Sequence, residues 1–294
     1  MRSSFAIRAA LLGGVFMLSS SGIFGRLAGA PPSVTAFYRL LFAVLVLIPA
    51  LLLSRGGVAQ LRAASRRQIG AGVLAGVFLA VHYIMWFESI RWTTVSSSTT
   101  IAALQPLFSL LLGAAFLGER LTKKALIGGA IAISGAVVIG LGDFRASGAA
   151  LWGDALALVS GAVIAVYFFF GQICRRTLDA LPYSVLSYSS SVIFLAAYTA
   201  LTGEAFIGYP ALSWKCFAGL AFVSTIGGQM VFNVLLRWIS ATDVTMGILA
   251  EPIGTCILAW LILGETLSSQ LALGIVLILG GLWLFFTGTK KKGN

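Results

Sequence analysis

The groups that could recognise a solute are few, and they sit inside long apolar runs. His82, Tyr83 and Trp86 share one run. Four residues separate His82 from Trp86, which puts both on one face of a helix with Tyr83 at its edge. Imidazole, phenol and indole together make a wall that is apolar in bulk but carries directed hydrogen-bonding groups, suited to small zwitterions or aromatic solutes. Gln229 and Asn233 repeat the four-residue spacing further along the chain. Their amides can donate to a carboxylate and accept from an ammonium group without the desolvation cost of a charge. Gln105-Pro106 and Glu251-Pro252 each join a polar side chain to a mid-run proline. The proline removes one helical hydrogen bond and frees a carbonyl, so each pair predicts a kink, and a hinge candidate, whose backbone can line a cavity. A carboxyl at Glu251 must carry a proton or find a partner, which allows either proton-coupled transport or a structural role beside passive transport. The plainer reading of all these groups is helix packing, with a satisfied histidine, amides as interhelical glue and tolerated prolines.

Tyr167 opens the run Tyr167-Phe168-Phe169-Phe170, part of which must face lipid, and only Tyr167 is retained as a pocket candidate. Tyr38 and Arg39 begin the second apolar run. Arg39 is expected near the outer surface, where Glu88 should also end, so an Arg39–Glu88 contact at the outer rim is expected as a gate or a static anchor. Glu119 and Glu265 fall at helix ends and are expected to be solvated. Gly25-x-x-x-Gly29 and Gly72-x-x-x-Gly76 permit close helix approach. Cys174, Cys216 and Cys256 are widely spaced in apolar sequence without a CxxC pair or a neighbouring histidine, so they read as buried hydrophobes and no metal or cofactor is expected. No HExxH, GxSxG or phosphate-binding loop motif occurs, which argues against an integral membrane enzyme and against an ATP-driven pump.

The elements that must position these groups follow from composition. The chain has 294 residues, of which 59% are hydrophobic and 10% charged, with a mean hydropathy of +0.99. Soluble chains carry about 25% charged residues, so an integral membrane protein is indicated. Apolar runs near 5–25, 34–54, 69–90, 96–117, 122–142, 151–172, 183–202, 214–236, 243–263 and 268–288 are each long enough to cross a bilayer, predicting an all-α protein of ten transmembrane helices. Arg2, Arg8 and Ala28-Gly29-Ala30 imitate a cleavable leader, but the first run is too long for one and Arg26 sits too close to the supposed site. The net charge of +11 lies in short gaps between apolar runs rather than on a solvated face, so the partner is a lipid bilayer and not nucleic acid. Fifteen Lys and Arg fall in gaps on the N-terminal side, against five on the other, Arg26, Arg39, Arg91, Arg145 and Lys215. Both termini are therefore expected in the cytoplasm, across a bacterial inner membrane.

A shift of 146 residues lays 91–140 on 237–286 without a gap. Arg91-Trp92 meets Arg237-Trp238, Pro106 meets Pro252, Leu117-Gly118-Glu119 meets Leu263-Gly264-Glu265, and Gly128 and Gly135 meet Gly274 and Gly281. The chain reads as two five-helix copies, residues 1–142 and 151–294, joined by a linker at 143–150. Five is odd, so the copies must enter the membrane from opposite sides, giving inverted repeats around one central cavity and transport of a small molecule by alternating access. The repeated proline, Leu-Gly-Glu-x-Leu and glycine-spaced final helix resemble the EamA-type unit of the drug/metabolite transporter superfamily. Length, aromatic content and Arg39 in the second helix are most similar to its bacterial aromatic amino-acid exporters. The resemblance implies ten helices, cytoplasmic termini and a central cavity, with export of neutral or aromatic amino acids and related metabolites expected. Broad efflux of lipophilic cations is the alternative. Oligomeric state is not fixed by the sequence, and a monomer is plausible.

Overall fold

The computed structural model describes residues 4–117, 122–146 and 148–288, and among these the chain is helical with no strand. In chain order the helices are α1 (Ser4–Ser19), α2 (Ser21–Ala28), α3 (Pro32–Leu53), α4 (Gly57–Ala63), α5 (Arg66–Trp92), α6 (Val95–Ala102), α7 (Gln105–Leu117), α8 (Lys123–Ala146), α9 (Ala150–Cys174), α10 (Ala180–Leu201), α11 (Ala211–Gly219), α12 (Met230–Leu235), α13 (Ala241–Ile248), α14 (Glu251–Leu258) and α15 (Ser269–Gly288). A π-helical stretch, Leu220–Gln229, joins α11 to α12, and another, Ala259–Leu263, follows α14.

Among the described residues, seven stretches are long and apolar enough to cross a membrane: Ala6–Ala28, Pro32–Leu53, Arg66–Trp92, Val95–Phe116, Ala150–Cys174, Ala180–Leu201 and Ala211–Leu235. Three further apolar stretches, Leu126–Ile139, Glu251–Leu263 and Ser269–Leu284, are shorter. Local chemistry sets the ends. Ser65 and Gln68 form a reciprocal cap at the start of α5, with Gln68 N donating to Ser65 Oγ and Ser65 N to Gln68 Oε1. Gly29, at φ 59°, ends α2 in the left-handed conformation that glycine tolerates, and Pro31-Pro32 starts α3. Helix α8 continues through Ala146 and α9 begins at Ala150, with residue 147 outside the described residues.

The proline pairs produce more than kinks. Ala103 and Leu104 separate α6 from α7, and Leu249 and Ala250 separate α13 from α14, with tight three-residue bonds from Leu104 N to Ile101 O and from Ala250 N to Gly247 O. Each proline falls at the second residue of the new helix, where the missing N–H would have had no helical partner anyway. Helix starts also recur at the sequence offset: Val95 and Ala241, Gln105 and Glu251, Lys123 and Ser269.

Helix α8 packs along α15, and α5 packs against α9 and α10. The α8–α15 contact is antiparallel and reciprocal. A Cβ on Gly135 would lie 2.8 Å from Gly274 O, and one on Gly281 would lie 2.7 Å from Gly128 O. Gly135 corresponds to Gly281 at the 146-residue offset and Gly128 to Gly274, so each copy offers the same surface to the other. Gly76 of the Gly72-x-x-x-Gly76 pair likewise lets α5 lie against the α10 backbone at Ser187.

Candidate functional site

A cavity of about 50 Å³ lies where the broken helices meet the centre of the molecule. Ala102, Ala103 and Gln105 reach it from the first break, and Ile248 and Glu251 from the second. Helix α5 contributes His82, Tyr83 and Trp86, and the end of the Leu220–Gln229 stretch contributes Gln229. Leu18, Ser21, Thr99, Ile164 and Phe168 complete much of the wall. Trp86 is 5% exposed and its indole lies nearly parallel to the His82 ring, centroids 6.4 Å apart. His82 Nδ1 lies 3.0 Å from the backbone carbonyl of Ser160 on α9. With the proton on Nδ1 that contact is a donated hydrogen bond, which leaves Nε2 as an acceptor. Ser19 Oγ donates to the carbonyl of Glu251, and Thr255 Oγ1 donates to that of Ser19, which ties the second break to the first span.

Arg39 is in this wall and not at the outer rim. It is fully buried; Nε donates to Thr225 Oγ1 at 2.8 Å and Nη1 to Ser21 Oγ at 2.6 Å. The guanidinium carbon sits 4.1 Å from the centroid of the Tyr83 ring. Helix α3 begins at Pro32. Seven residues at 1.5 Å each carry Arg39 about 10 Å into the span, which is why the expected Arg39–Glu88 contact does not form. Glu88 stays on its own helix, accepting from Arg91 Nη1 at 3.1 Å and Trp92 Nε1 at 2.7 Å.

Other expected site residues lie elsewhere. Tyr167 and Asn233 are fully buried off the cavity wall, held in a network in which Tyr167 Oη donates to Asn233 Oδ1 at 2.8 Å. Asn233 Nδ2 in turn donates to Ser184 Oγ and Tyr188 Oη, so the amide's bonds are spent within the fold. Tyr38 belongs to an aromatic cluster with Phe37, Phe42, Trp214 and Phe217, and its hydroxyl donates to Phe206 O. Pro106 and Pro252 stand one residue from the cavity-lining Gln105 and Glu251 but are not themselves in the wall. Glu265 is not left to solvent: its carboxylate accepts from Val95 N at 2.9 Å, Ser96 N at 3.1 Å and Ser96 Oγ at 2.8 Å, capping α6 from the other copy. Glu119 lies outside the described residues. Sequence reading missed Ser21 and Thr225, the two hydroxyls that hold the guanidinium, and the π-helical stretch that presents Thr225. The available signal was the Ser19-Ser20-Ser21 run in an otherwise apolar span.

The sequence profile of the EamA-like transporter family matches residues 6–141 and again 151–287. The chain belongs to the EamA-like transporter family. It is a multi-pass membrane transporter, and the family resemblance read from the Leu-Gly-Glu repeats holds. Among relatives, the Bacillus subtilis "Uncharacterized transporter YdfC" is 23% identical, covering 97% of this chain and 91% of that protein. The Streptantibioticus cattleyicolor "Probable terminal-alkyne amino-acid exporter" is 25% identical over 64% of this chain and 63% of its own length. The Pseudomonas aeruginosa "Pseudopaline exporter CntI" is 25% identical over 85% and 84%. A solved crystal structure at 19% identity shares the fold, with a TM-score of 0.70 over 97% of this chain and 98% of that one.

Proposed function

We propose that this EamA-like transporter exports neutral or aromatic amino acids and related small metabolites across the bacterial inner membrane by alternating access. The observation that carries the reading is the cavity itself: two helix breaks, 146 residues apart in sequence, bring their ends to one polar and aromatic space in a transporter fold. In such a fold, interrupted helices mark the substrate site. Two relatives are named as exporters, one of them of an amino acid, which supports the direction and the substrate class. The reading takes the chain as ten spans in two inverted five-helix units, 1–142 and 151–294. Recurring helix starts and the reciprocal antiparallel glycine contact between α8 and α15 support that architecture. Both termini lie in the cytoplasm, following the fifteen-to-five distribution of Lys and Arg.

At about 50 Å³ the cavity is smaller than the roughly 300 Å³ or more of a small-molecule pocket, so a solute needs the halves to part. His82, Tyr83, Trp86, Gln105, Gln229 and Glu251 form the site, with the breaks at Pro106 and Pro252 as the hinges that let each half open. Glu251 acts as a polar contact of a passive carrier that follows the solute gradient. Reconstituted protein should take up neutral or aromatic amino acids from a panel that also holds charged amino acids and an ethidium-like cation. Uptake of the cation with no amino acid overturns the reading. Unchanged gradient-driven and exchange transport in Glu251→Gln would remove Glu251 from the site, whereas selective loss of pH-gradient-driven transport would replace the passive carrier with a proton-coupled one.

A further inference from the structure

Arg39 carries an unspent half. Its Nε and Nη1 are engaged by Thr225 and Ser21, both neutral hydroxyls, but Nη2 is buried without a hydrogen-bond partner. Tyr83 Oη, buried in the same wall, also has none. Neither ion pair formed among the described residues involves Arg39. Glu251 lines the same cavity, and neither ion pair among the described residues includes it. The Tyr83 ring under the guanidinium softens the charge without supplying an anion.

Arg175, the other buried arginine among the described residues, shows what a structural arginine looks like here. It sits at the end of α9, off the cavity wall, and gives Nε to Asn233 O and Nη1 to Leu178 O. Backbone carbonyls answer it. Arg39 instead leaves a charged donor without a partner, and the residue lines the cavity that the transport reading gives to the solute. A cation so placed is costly in the membrane unless an anion joins it, and its planar fork matches an oxyanion.

Resting on the transport reading above, we propose that Arg39, with Tyr83 Oη beside it, anchors the carboxylate of the transported solute. A carboxylate is then a requirement for binding, not a tolerated feature. One carboxylate oxygen accepts from Arg39 Nη2 and the other from Tyr83 Oη, while Trp86 takes up the apolar part of the solute. The same positive charge repels lipophilic cations, so the site selects against drug-like amines.

The test uses purified full-length protein and four solutes of one shape: phenylalanine, 3-phenylpropionate, phenylalaninamide and phenethylamine. Binding is read by ligand-induced thermal stabilisation and transport by proteoliposome uptake. The two carboxylates should bind at least about tenfold more tightly than the amide and the amine, as a charge-assisted bond gained or lost implies. Arg39→Gln should erase that preference. Tyr83→Phe, which removes a single oxygen, should weaken the carboxylates several-fold and leave the amine unchanged. If Arg39→Gln does not fold, Arg39→Lys and Tyr83→Phe carry the test, because both keep the packing and alter the donors. Equal binding of amine and amino acid by the unmodified protein, a preference that stays at full size in Arg39→Gln or, where that variant does not fold, in both Arg39→Lys and Tyr83→Phe, or a panel in which no carboxylate binds overturns the anchor. Carboxylate-selective binding without any uptake leaves the anchor standing and overturns the transport reading; uptake without carboxylate preference does the reverse.

Discussion

The two interrupted helix pairs, α6–α7 and α13–α14, are the same device built twice and loaded differently. Both interrupt two residues before a polar-proline pair, and both bring the interruption to the cavity. The first presents Gln105 there and the second Glu251. Their far ends differ as well. Helix α6 is capped by a carboxylate, Glu265, that holds two backbone N–H groups and the Ser96 hydroxyl, whereas α13 has Gln172 Oε1 accepting from Ala241 N at 3.0 Å. The same contrast runs through the cavity wall. At the 146-residue offset His82 answers to Gly228, Tyr83 to Gln229 and Trp86 to Phe232. Duplication therefore preserves the backbone that makes a cavity, while the groups that recognise a solute are placed in one copy or the other. Packing should tolerate change equally in both copies, and chemistry should not.

The symmetric part of that contrast is the most sensitive to mutation. Gly135→Val and Gly281→Val each press a side chain onto backbone of the opposite copy, and each should cost about 2–3 kcal/mol in thermal unfolding of the detergent-solubilised protein. A large cost at one position with none at the other breaks the equivalence. The caps measure the asymmetry. Glu265→Ala should destabilise by about 2 kcal/mol, since a charged cap with several donors is lost, and Gln172→Ala by only about 1 kcal/mol. Equal losses, or the reverse order, would mean that the two caps are interchangeable.

The smallest effect belongs to one end of the molecule. Arg91 pairs with Glu88 on its own helix, but its counterpart Arg237 reaches across to Asp179, which also accepts from Gln60 Nε2 at 2.7 Å. The Gln60 amide first, and then the Arg237 and Arg175 guanidinium groups, hold Asp179 below the ordinary carboxylate range. A folded-state pKa that lies below the unfolded one stabilises above the unfolded value, near 4, and is lost as the pH falls through the folded value. Asp179 is half exposed, so the gain is under about 1 kcal/mol. Asp179→Asn should flatten that part of the acid unfolding profile and leave stability above pH 5 lowered by the same small amount. An unchanged profile would mean that this clasp contributes nothing.

Much of this was legible in the residues themselves. Apolar length gave an all-helical membrane protein, the Pro106 and Pro252 match located two interruptions though only as kinks, and four-residue spacing put His82 and Trp86 on one face, because each of these depends on local geometry. Asn233 and Tyr167 were misplaced because a polar group in a membrane helix is costly wherever it faces, and a neighbour's hydroxyl satisfies it as well as a solute does. Arg39 was misplaced by depth: hydropathy locates a span only to within a turn or two, and a basic residue shortens the apparent apolar run. The solvation expected of Glu265 fails because its partners, Val95 and Ser96, lie 170 and 169 residues away in sequence, beyond the reach of local pattern.

Two tryptophans on one helix test the central claim most directly. Trp86 lines the cavity at 5% exposure, and Trp92, six residues on, ends α5 at 46% exposure. Amino-acid counterflow should be measured in proteoliposomes carrying equal amounts of the unmodified protein, Trp86→Ala and Trp92→Ala. If solutes pass through this cavity, Trp86→Ala slows counterflow by about tenfold, the worth of a buried aromatic contact, and Trp92→Ala leaves it unchanged. Counterflow at the unmodified rate in Trp86→Ala contradicts the account.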